Sequence, residues 1–314
     1  MNRELHPVSL TDYQCKHNWQ SVPFSWRLGQ TFCGLCRLSE LRVAQWLSRG
    51  LPPSLPCAVR LHGSQMHIDL GRSSAQQLLV LLGDRFITEQ KLFRESVKPG
   101  MKVVDIGANI GYHVLFLASL VGAGGHITAI EPSPENLPEL KANITRNQLQ
   151  NVQLWEVAIG ARSCSVQVKA GINSGIVTDG DGIAEVPMVA LSDVISEPVD
   201  FVKIDVDGYE GEVIAGAEKY LRKYRPTVLL ELHPHLLPRF GTTTGAIVER
   251  LRSIYPELRG YDHYRSGDEP LLKRIARKYW SPTALREIMN LDEAIRVADQ
   301  GKHEWTFWVV ASVD

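Results

Sequence analysis

Cysteine is scarce in this 314-residue chain, and neither charge sign is in excess. The five cysteines are an odd number, which favours a reducing compartment over a disulfide-stabilised secreted protein, so we expect a cytoplasmic location. Lys plus Arg total 34 and Asp plus Glu total 35, so the chain lacks the basic surplus of a general nucleic-acid binder. No nucleic-acid partner is therefore expected.

Long apolar runs are also missing. No stretch approaches the roughly 20 residues that a helix needs to cross a bilayer. The N-terminus has no basic start followed by an apolar core, as a signal peptide would. The sequence therefore predicts no transmembrane segment.

The near-zero net charge of the whole chain conceals a change in charge balance near residue 97. Residues 1–97 hold 11 basic and 7 acidic side chains, a net of +4, whereas residues 98–314 hold 23 and 28, a net of −5. We predict an N-terminal helical and hairpin cap over 1–85 and one large α/β domain over 86–314. In the cap, two apolar runs at 58–61 and 66–70 predict the hairpin.

Downstream of residue 98, short apolar runs alternate with helical patterns, which is typical of a parallel sheet with helices on both faces. Strands are predicted at 103–106, 126–130, 152–157, 201–204 and 228–232. Helices are predicted at 111–121, 208–224 and 134–147, the last with Ser133 as N-cap and Pro134 in its first turn.

The regular alternation breaks twice. Two short strands are predicted at 165–168 and 186–190, on either side of a Gly/Asp-rich loop. The apolar run 305–311 predicts a final strand with 258–264 as its neighbour. Residues 265–304 are long for a connection between adjacent strands, so we predict a helical insertion there, with a helix start at Ser281 and Pro282.

The most informative segment is a strand that ends in an acid and a glycine turn. Asp105, Gly107 and Gly111 have the spacing Asp-x-Gly-x-x-x-Gly, not the Gly-x-Gly-x-x-Gly of a dinucleotide site. Glycine lets backbone approach a ligand, and the following helix N-terminus offers oriented N–H groups. A carboxylate beside the turn would repel a pyrophosphate and suits a cationic or zwitterionic ligand such as S-adenosylmethionine (SAM). A tight turn without a ligand is the structural alternative.

The second strand also ends in an acid. Glu131 lies 26 residues after Asp105, and an acid at this position can accept hydrogen bonds from both ribose hydroxyls. A solvated carboxylate before a proline turn is the alternative, but the two acids together favour a nucleoside ligand.

At this point the sequence resembles the FkbM family of SAM-dependent methyltransferases. The matching stretches occur in order, at 97–113, 129–132, 157–160, 191–193, 200–210 and 229–233. The resemblance implies a class I methyltransferase fold, which is Rossmann-like, with a seven-stranded, mostly parallel sheet whose last strand is antiparallel. The run 305–311 suits that last position. Ser192 and Asp207 depart from the family pattern, where Asp and Glu are common.

The resemblance also implies S-adenosyl-L-methionine as the cofactor. By this likeness Asp105, Gly107, Asn109 and Gly111 line its methionine end. Glu131 takes the ribose, and the segment from Glu156 to Ala158 flanks the adenine.

Two residues are candidates for catalysis. Asp205 follows the fourth strand and His233 the fifth, so both should reach the crevice beyond the carboxyl ends of the strands. His233 is the natural base near neutral pH, and a structural strand cap is the alternative. Asp205 could orient the acceptor, contact SAM or hold a metal. Lys203 should share its sheet face, and Glu210 should start the next helix.

Evidence for a metal is weaker. Asp205, Glu231 and His233 have the right ligand chemistry, but nothing in their spacing demands an ion. Cys33 and Cys36 form a single C-x-x-C, and a zinc site would need two further ligands from Cys15, His17 or Cys57. A lone C-x-x-C is usually incidental. We therefore expect no metal.

For the methyl acceptor, the sequence indicates a chemical class and not a single compound. The resemblance implies O-methylation of a hydroxyl on a sugar, glycolipid or secondary metabolite. Trp19 and Trp26 near Lys16 and Arg27 leave peripheral membrane contact open beside simple packing. An NAD-dependent oxidoreductase and a noncatalytic SAM-fold module are the alternatives, and the oligomeric state is not addressed by the sequence.

Overall fold

The computed structural model describes most of the chain. The continuous ranges are 51–72, 87–169, 182–262, 287–301 and 306–313, and the shorter pieces are 6–10, 20–21, 23–26, 28, 47–49, 76–77, 80 and 176–177. The predictions made for Ser281, Cys33, Cys36, Trp19 and their neighbours lie outside these residues.

Seven strands form the central sheet, in the order β13-β14-β12-β11-β4-β5-β6. Their bounds are β4 Lys102–Ile106, β5 His126–Ile130, β6 Val152–Trp155, β11 Phe201–Ile204, β12 Thr227–Leu232, β13 Glu257–Asp262 and β14 Phe307–Ser312. The sheet is parallel except that β14 runs antiparallel to both β12 and β13. This confirms the predicted class I methyltransferase architecture, including its antiparallel last strand.

The sheet is covered on both faces because successive strand residues point to opposite sides. Val104 and Val202 belong to one buried cluster, and their neighbours Val103 and Phe201 belong to another. The α-helices of the described residues are α1 Ile87–Ser96, α2 Tyr112–Val121, α3 Leu137–Arg146, α4 Leu191–Val194, α5 Glu210–Tyr224, α6 Thr244–Arg252 and α7 Leu291–Asp299. A 3-10 helix spans Leu237–Phe240.

One helix start was predicted wrongly. Helix α3 begins at Leu137 with Asn136 as N-cap, three residues after the predicted proline. The backbone N–H of Ser133 donates to Glu131 at 2.9 Å, and the Ser133 carbonyl accepts from Asn136 and Leu137. Ser133 therefore forms a turn that holds the strand-end acid, and the helix starts after that turn.

A second, smaller sheet interrupts the alternation where the sequence predicted it. Strand β8 Cys164–Val168 pairs antiparallel with β10 Ala184–Val189. The short strands β7 Ala158–Ile159 and β9 Ile176–Val177 complete the order β7-β10-β8-β9.

The predicted N-terminal hairpin is present and packs on the central unit. Strands β2 Pro56–Leu61 and β3 Ser64–Asp69 pair antiparallel, and the short β1 Gln20–Ser21 pairs with β2. Met66 of the hairpin shares a buried cluster with Leu115 of α2. Trp26 is buried in the same cluster, which agrees with the packing alternative for this residue.

Helix α7 lies within the predicted 265–304 insertion. In the described residues, no helix is both long and apolar enough to cross a membrane. The boundary between a cap at 1–85 and a domain at 86–314 stays a prediction.

Candidate functional site

A cavity of about 270 Å³ opens at the carboxyl ends of β4, β5, β11 and β12. This is the crevice where open α/β sheets bind ligands. Among the described residues, its walls include six of the nine predicted site residues: Gly107, Asn109, Glu131, Ala158, Asp205 and His233. Asp105, Gly111 and Glu156 do not line it.

The turn after β4 brings main chain directly to the cavity. Gly107 has φ +82°, and a Cβ built there would lie 1.9 Å from the carbonyl oxygen of Asp205. Only glycine therefore fits between β4 and the loop after β11. Gly111 has φ +92°, a conformation that L side chains rarely adopt, and this favours glycine there. An added Cβ would also lie 2.9 Å from the flexible side-chain end of Leu140 of α3.

Asp105 lies behind the cavity wall. Its side chain is fully buried, and Oδ1 accepts from Nζ of Lys203 at 2.9 Å. The same Nζ donates to the Gly107 carbonyl at 3.2 Å and lies 3.5 Å from Asp205 Oδ2. Burial alone would lower the pKa of Lys203, but Asp105 and Asp205 raise it above its usual value. Asp105 thus fixes a protonated amine under the glycine turn.

Glu131 links the first two strand ends. Its Oε2 accepts from the Asn109 N–H at 2.8 Å, while Oε1 accepts from Ser133 N and Asn136 Nδ2. Asn109 has φ +51°, a conformation this bond holds in place. Burial raises the pKa of Glu131 to about 7 despite these donors. A carboxylate oxygen can accept more than one hydrogen bond, so Oε2 keeps acceptor capacity for a ligand hydroxyl beside the Asn109 N–H.

The two ends of the predicted adenine segment, Glu156 and Ala158, lie in different surroundings. Val157, Ala158 and Ile159 line an apolar part of the cavity, together with Ile176 of β9. Glu156 instead forms an ion pair with Lys141 of α3. A flat apolar ring would meet the alanine side of this segment and not the carboxylate.

The two catalytic candidates meet at the ends of β11 and β12. Asp205 follows β11 and His233 follows β12, and these strands are adjacent and parallel. The contact between Lys203 and Asp205 confirms that these two side chains share a sheet face. His233 Nε2 lies 3.5 Å from Asp207 Oδ1 and 3.8 Å from Glu231 Oε1.

Asp205, Asp207, Glu210 and Glu231 surround one imidazole, and we call these five residues the His233 cluster. Burial opposes the charged imidazole, but the Glu210 hydrogen bond and the surrounding carboxylates raise the pKa of His233 to about 10. Burial likewise raises the pKa of Asp207 to about 6. The cluster holds more acids than His233 can balance, which suits a cationic ligand.

Glu210 and Asp207 were missing from the predicted site. Helix α5 does begin at Glu210, as predicted, but Glu210 Oε1 also bonds His233 Nδ1 at 2.7 Å. Asp207 at φ +49° and Gly208 at φ +103° turn the chain sharply enough to bring that carboxylate back. The available signal was two acids and a glycine directly after a buried strand.

Comparison with protein families matches residues 105–262 to the methyltransferase FkbM domain. The chain belongs to the FkbM methyltransferase family. It is 29% identical to the 31-O-demethyl-FK506 methyltransferase FkbM of Streptomyces tacrolimicus over 39% of this chain and 62% of that protein. It is 36% identical to the protein-L-isoaspartate O-methyltransferase of Methanothrix thermoacetophila over 19% of this chain and 28% of that protein.

The chain thus matches less than two thirds of either relative. A solved structure of methyltransferase FkbM from Methylobacillus flagellatus aligns with a TM-score of 0.43 at 16% identity, covering 91% of this chain and 62% of that one.

S-adenosylmethionine is the cofactor of this family and fold, and the cavity fits it. The Gly107 turn has no room for a side chain, Glu131 retains acceptor capacity, and the His233 cluster favours a cation. The same negative charge opposes the pyrophosphate of NAD, the alternative cofactor.

Proposed function

We propose that the protein is a SAM-dependent O-methyltransferase that acts on a hydroxyl group of a small molecule. One observation carries the proposal: Asp205 and His233 face the same cavity as the Gly107 turn and Glu131. The proposal therefore assigns a cofactor site and a group that can act on an acceptor to one crevice.

We infer that the cofactor is held along one side of this cavity. SAM supplies a methyl group on a positively charged sulfur. Gly107 and Asn109 would contact its methionine end, Glu131 its ribose and Ala158 its adenine. Asp105, Gly111 and Glu156 would support the site without contacting the cofactor. Asp105 would fix Lys203, Gly111 the start of α2, and Glu156 the side chain of Lys141.

Asp205 and His233 are the proposed catalytic residues. Methyl transfer requires the acceptor oxygen to lie in line with the transferred group, and a hydroxyl must also lose its proton. Both side chains face the cavity, so they can orient the hydroxyl, and its proton is taken up within the His233 cluster. Because the surrounding carboxylates raise the pKa of His233 to about 10, His233 is already protonated near neutral pH. We therefore assign it to orienting the hydroxyl, while a carboxylate of the cluster accepts the proton.

The charge of the cluster bears on the acceptor class. Four carboxylates around one imidazole disfavour an anionic acceptor, such as the carboxylate that an L-isoaspartyl residue carries. A neutral hydroxyl meets no such repulsion. This favours the hydroxyl chemistry named for the Streptomyces relative, and a sugar, glycolipid or secondary metabolite as acceptor.

Calorimetric titration tests the cofactor half of the proposal. The full chain should bind SAM and not NAD, and Glu131→Ala should weaken SAM binding by about tenfold or more, since it loses hydrogen bonds to a charged acceptor. Glu197→Gln, at an exposed position away from the cavity, is the matched control. A folded chain that binds no SAM would refute the proposal.

Transfer of label from methyl-labelled SAM into a fractionated cell extract tests the catalytic half. The labelled product should be an ether. Asp205→Asn and His233→Asn should reduce transfer at least about a hundredfold while SAM binding persists. Unchanged transfer in both variants would refute the residue assignment, and SAM binding without any transfer would favour a noncatalytic module.

A further inference from the structure

We propose that Asp205, Glu231 and His233 bind one divalent cation of the Mn²⁺ or Zn²⁺ type at the acceptor side of the cavity. This inference rests on the proposed function only for its consequence, because the site itself can be tested without SAM or acceptor. With the ion in place, Asp205 and His233 act on the hydroxyl through it instead of directly.

The first reason is convergence. One ligand atom from each of these three residues lies within 4.8 Å of the others. The strand register explains this convergence. Ile204 of β11 pairs with Leu230 of β12, so Asp205, just after β11, and Glu231, within β12, lie at the same level of the sheet. His233 follows Glu231 by two residues and therefore returns to its side.

The second reason is an imidazole nitrogen that is aimed at two carboxylates. His233 is only 7% exposed, and Glu210 Oε1 holds its Nδ1 at 2.7 Å. Nε2 is thereby directed at Glu231 and Asp207, whose oxygens lie 3.8 and 3.5 Å away, longer than an ordinary hydrogen bond. A divalent cation is a positive centre that can lie between Nε2 and these oxygens and replace the proton that the imidazole otherwise carries.

Lys203 does not supply that centre. Its two hydrogen bonds go to Asp105 Oδ1 at 2.9 Å and the Gly107 carbonyl at 3.2 Å. Its amine forms an ion pair with Asp205 at 3.5 Å, and its charge also acts on Glu231. One lysine and one imidazole therefore face five carboxylates, Asp105 and the four of the His233 cluster, so the acids remain in excess.

The distances suit an ion. Bonds of about 2.1 Å place ligand atoms roughly 3.0 to 4.2 Å apart in octahedral geometry, which brackets the 3.8 Å between His233 Nε2 and Glu231 Oε1. One imidazole with carboxylates suits Mn²⁺ or Zn²⁺ better than Ca²⁺. Glu210 then has the role of the carboxylate that orients a metal-binding histidine.

Titration of the EDTA-treated, full-length chain with Mn²⁺ tests the site, with free Mn²⁺ measured by its paramagnetic resonance signal. We expect one ion per chain. Asp205→Asn and Glu231→Gln should each weaken binding by about tenfold or more, and Glu210→Gln by about ten- to a hundredfold. Glu257→Gln, an exposed acid on β13, should bind like the wild type.

Circular dichroism and thermal unfolding show whether each variant is folded, and the two ligand variants provide independent tests. Absence of binding, or equal binding by all variants, would overturn the ion site. The ion site would also be overturned if methyl transfer survives EDTA treatment but is lost in His233→Asn. That result would leave the proposed function intact. Site-specific Mn²⁺ binding with no hydroxyl methylation would support the ion and refute the function.

Discussion

Gly107 shows how one missing side chain allows the site to exist. The residue lies between the ends of the adjacent strands β4 and β11, and a Cβ there would lie 1.9 Å from the carbonyl oxygen of Asp205. The sequence marked this glycine as part of a ligand-binding turn. The distance that makes it necessary joins residues 98 positions apart, and therefore depends on the assembled sheet.

Gly107→Ala should destabilise the folded chain by at least about 2 kcal/mol, because strain at positive φ adds to a clash with backbone. Urea unfolding measures the effect. Gly124→Ala is the control, since no atom lies within 4 Å of its added Cβ, and it should change stability by less than about 1 kcal/mol. Equal effects of the two substitutions would contradict this explanation.

Glu131 predicts a pH dependence of stability. Its pKa is raised from 4.5 to about 7 by burial, so the folded chain holds this proton more tightly than the unfolded chain. The stability it contributes is present below about pH 4.5 and is lost as the pH rises to about 7. Above that range the loss is complete.

Unfolding free energies of wild type and Glu131→Gln should therefore diverge with pH. The wild type should lose about 3 kcal/mol relative to the variant between about pH 4 and about pH 8. Subtracting the two profiles removes the other titrating groups. A constant difference across that range would show that Glu131 does not titrate as proposed.

At the scale of elements, the hairpin β2–β3 is attached to α3 by two asparagines. Asn143 is fully buried: its Oδ1 accepts from the His67 N–H at 2.6 Å, and its Nδ2 donates to the carbonyls of His67 and Ile110. Asn147, one turn later, makes the same pair of bonds with Gln65 at the exposed edge. Helix periodicity predicted α3, but it could not identify the strand these side chains would meet.

Asn143→Ala should cost about 2–4 kcal/mol of stability, since three buried backbone groups lose their partner. Asn147→Ala is the matched control and should cost about 1 kcal/mol, because water replaces its exposed bonds. Urea unfolding gives the magnitudes, and hydrogen exchange of the hairpin amides shows where they act. A larger loss for Asn147→Ala would contradict the burial explanation.

At the scale of the whole molecule, the hairpin and the sheet share one core. Met66 and Ile68 of β3 pack in the same cluster as Ile110, Tyr112 and Leu115, beside the proposed cofactor turn. The charge change near residue 97 lies close to the predicted boundary between the cap and the large domain. Charge describes the surface, however, and says nothing about which apolar side chains are shared across a boundary.

A fragment containing residues 86–314 should therefore lose cooperative thermal unfolding. Each core side chain exposed by the deletion costs about 1.5–3 kcal/mol, and a few of these exceed typical domain stability of about 5–15 kcal/mol. The longer fragment 51–314 retains the hairpin and should keep one cooperative transition. If 86–314 unfolds as sharply and at the same temperature as the full chain, the cap is independent.

The local sequence pattern determined the strands, most helices and the sheet class, because burial imposes a period on each element. It also determined the positions of Asp105, Glu131, Asp205 and His233, because the strand ends share one edge of the sheet. Only the tertiary structure decided which groups meet. It placed Asp105 on Lys203, bound Glu131 to Asn109, and brought Glu210 to His233 across a turn. These contacts join residues far apart in the chain, and their energies depend on the distances and burial that the assembled sheet creates.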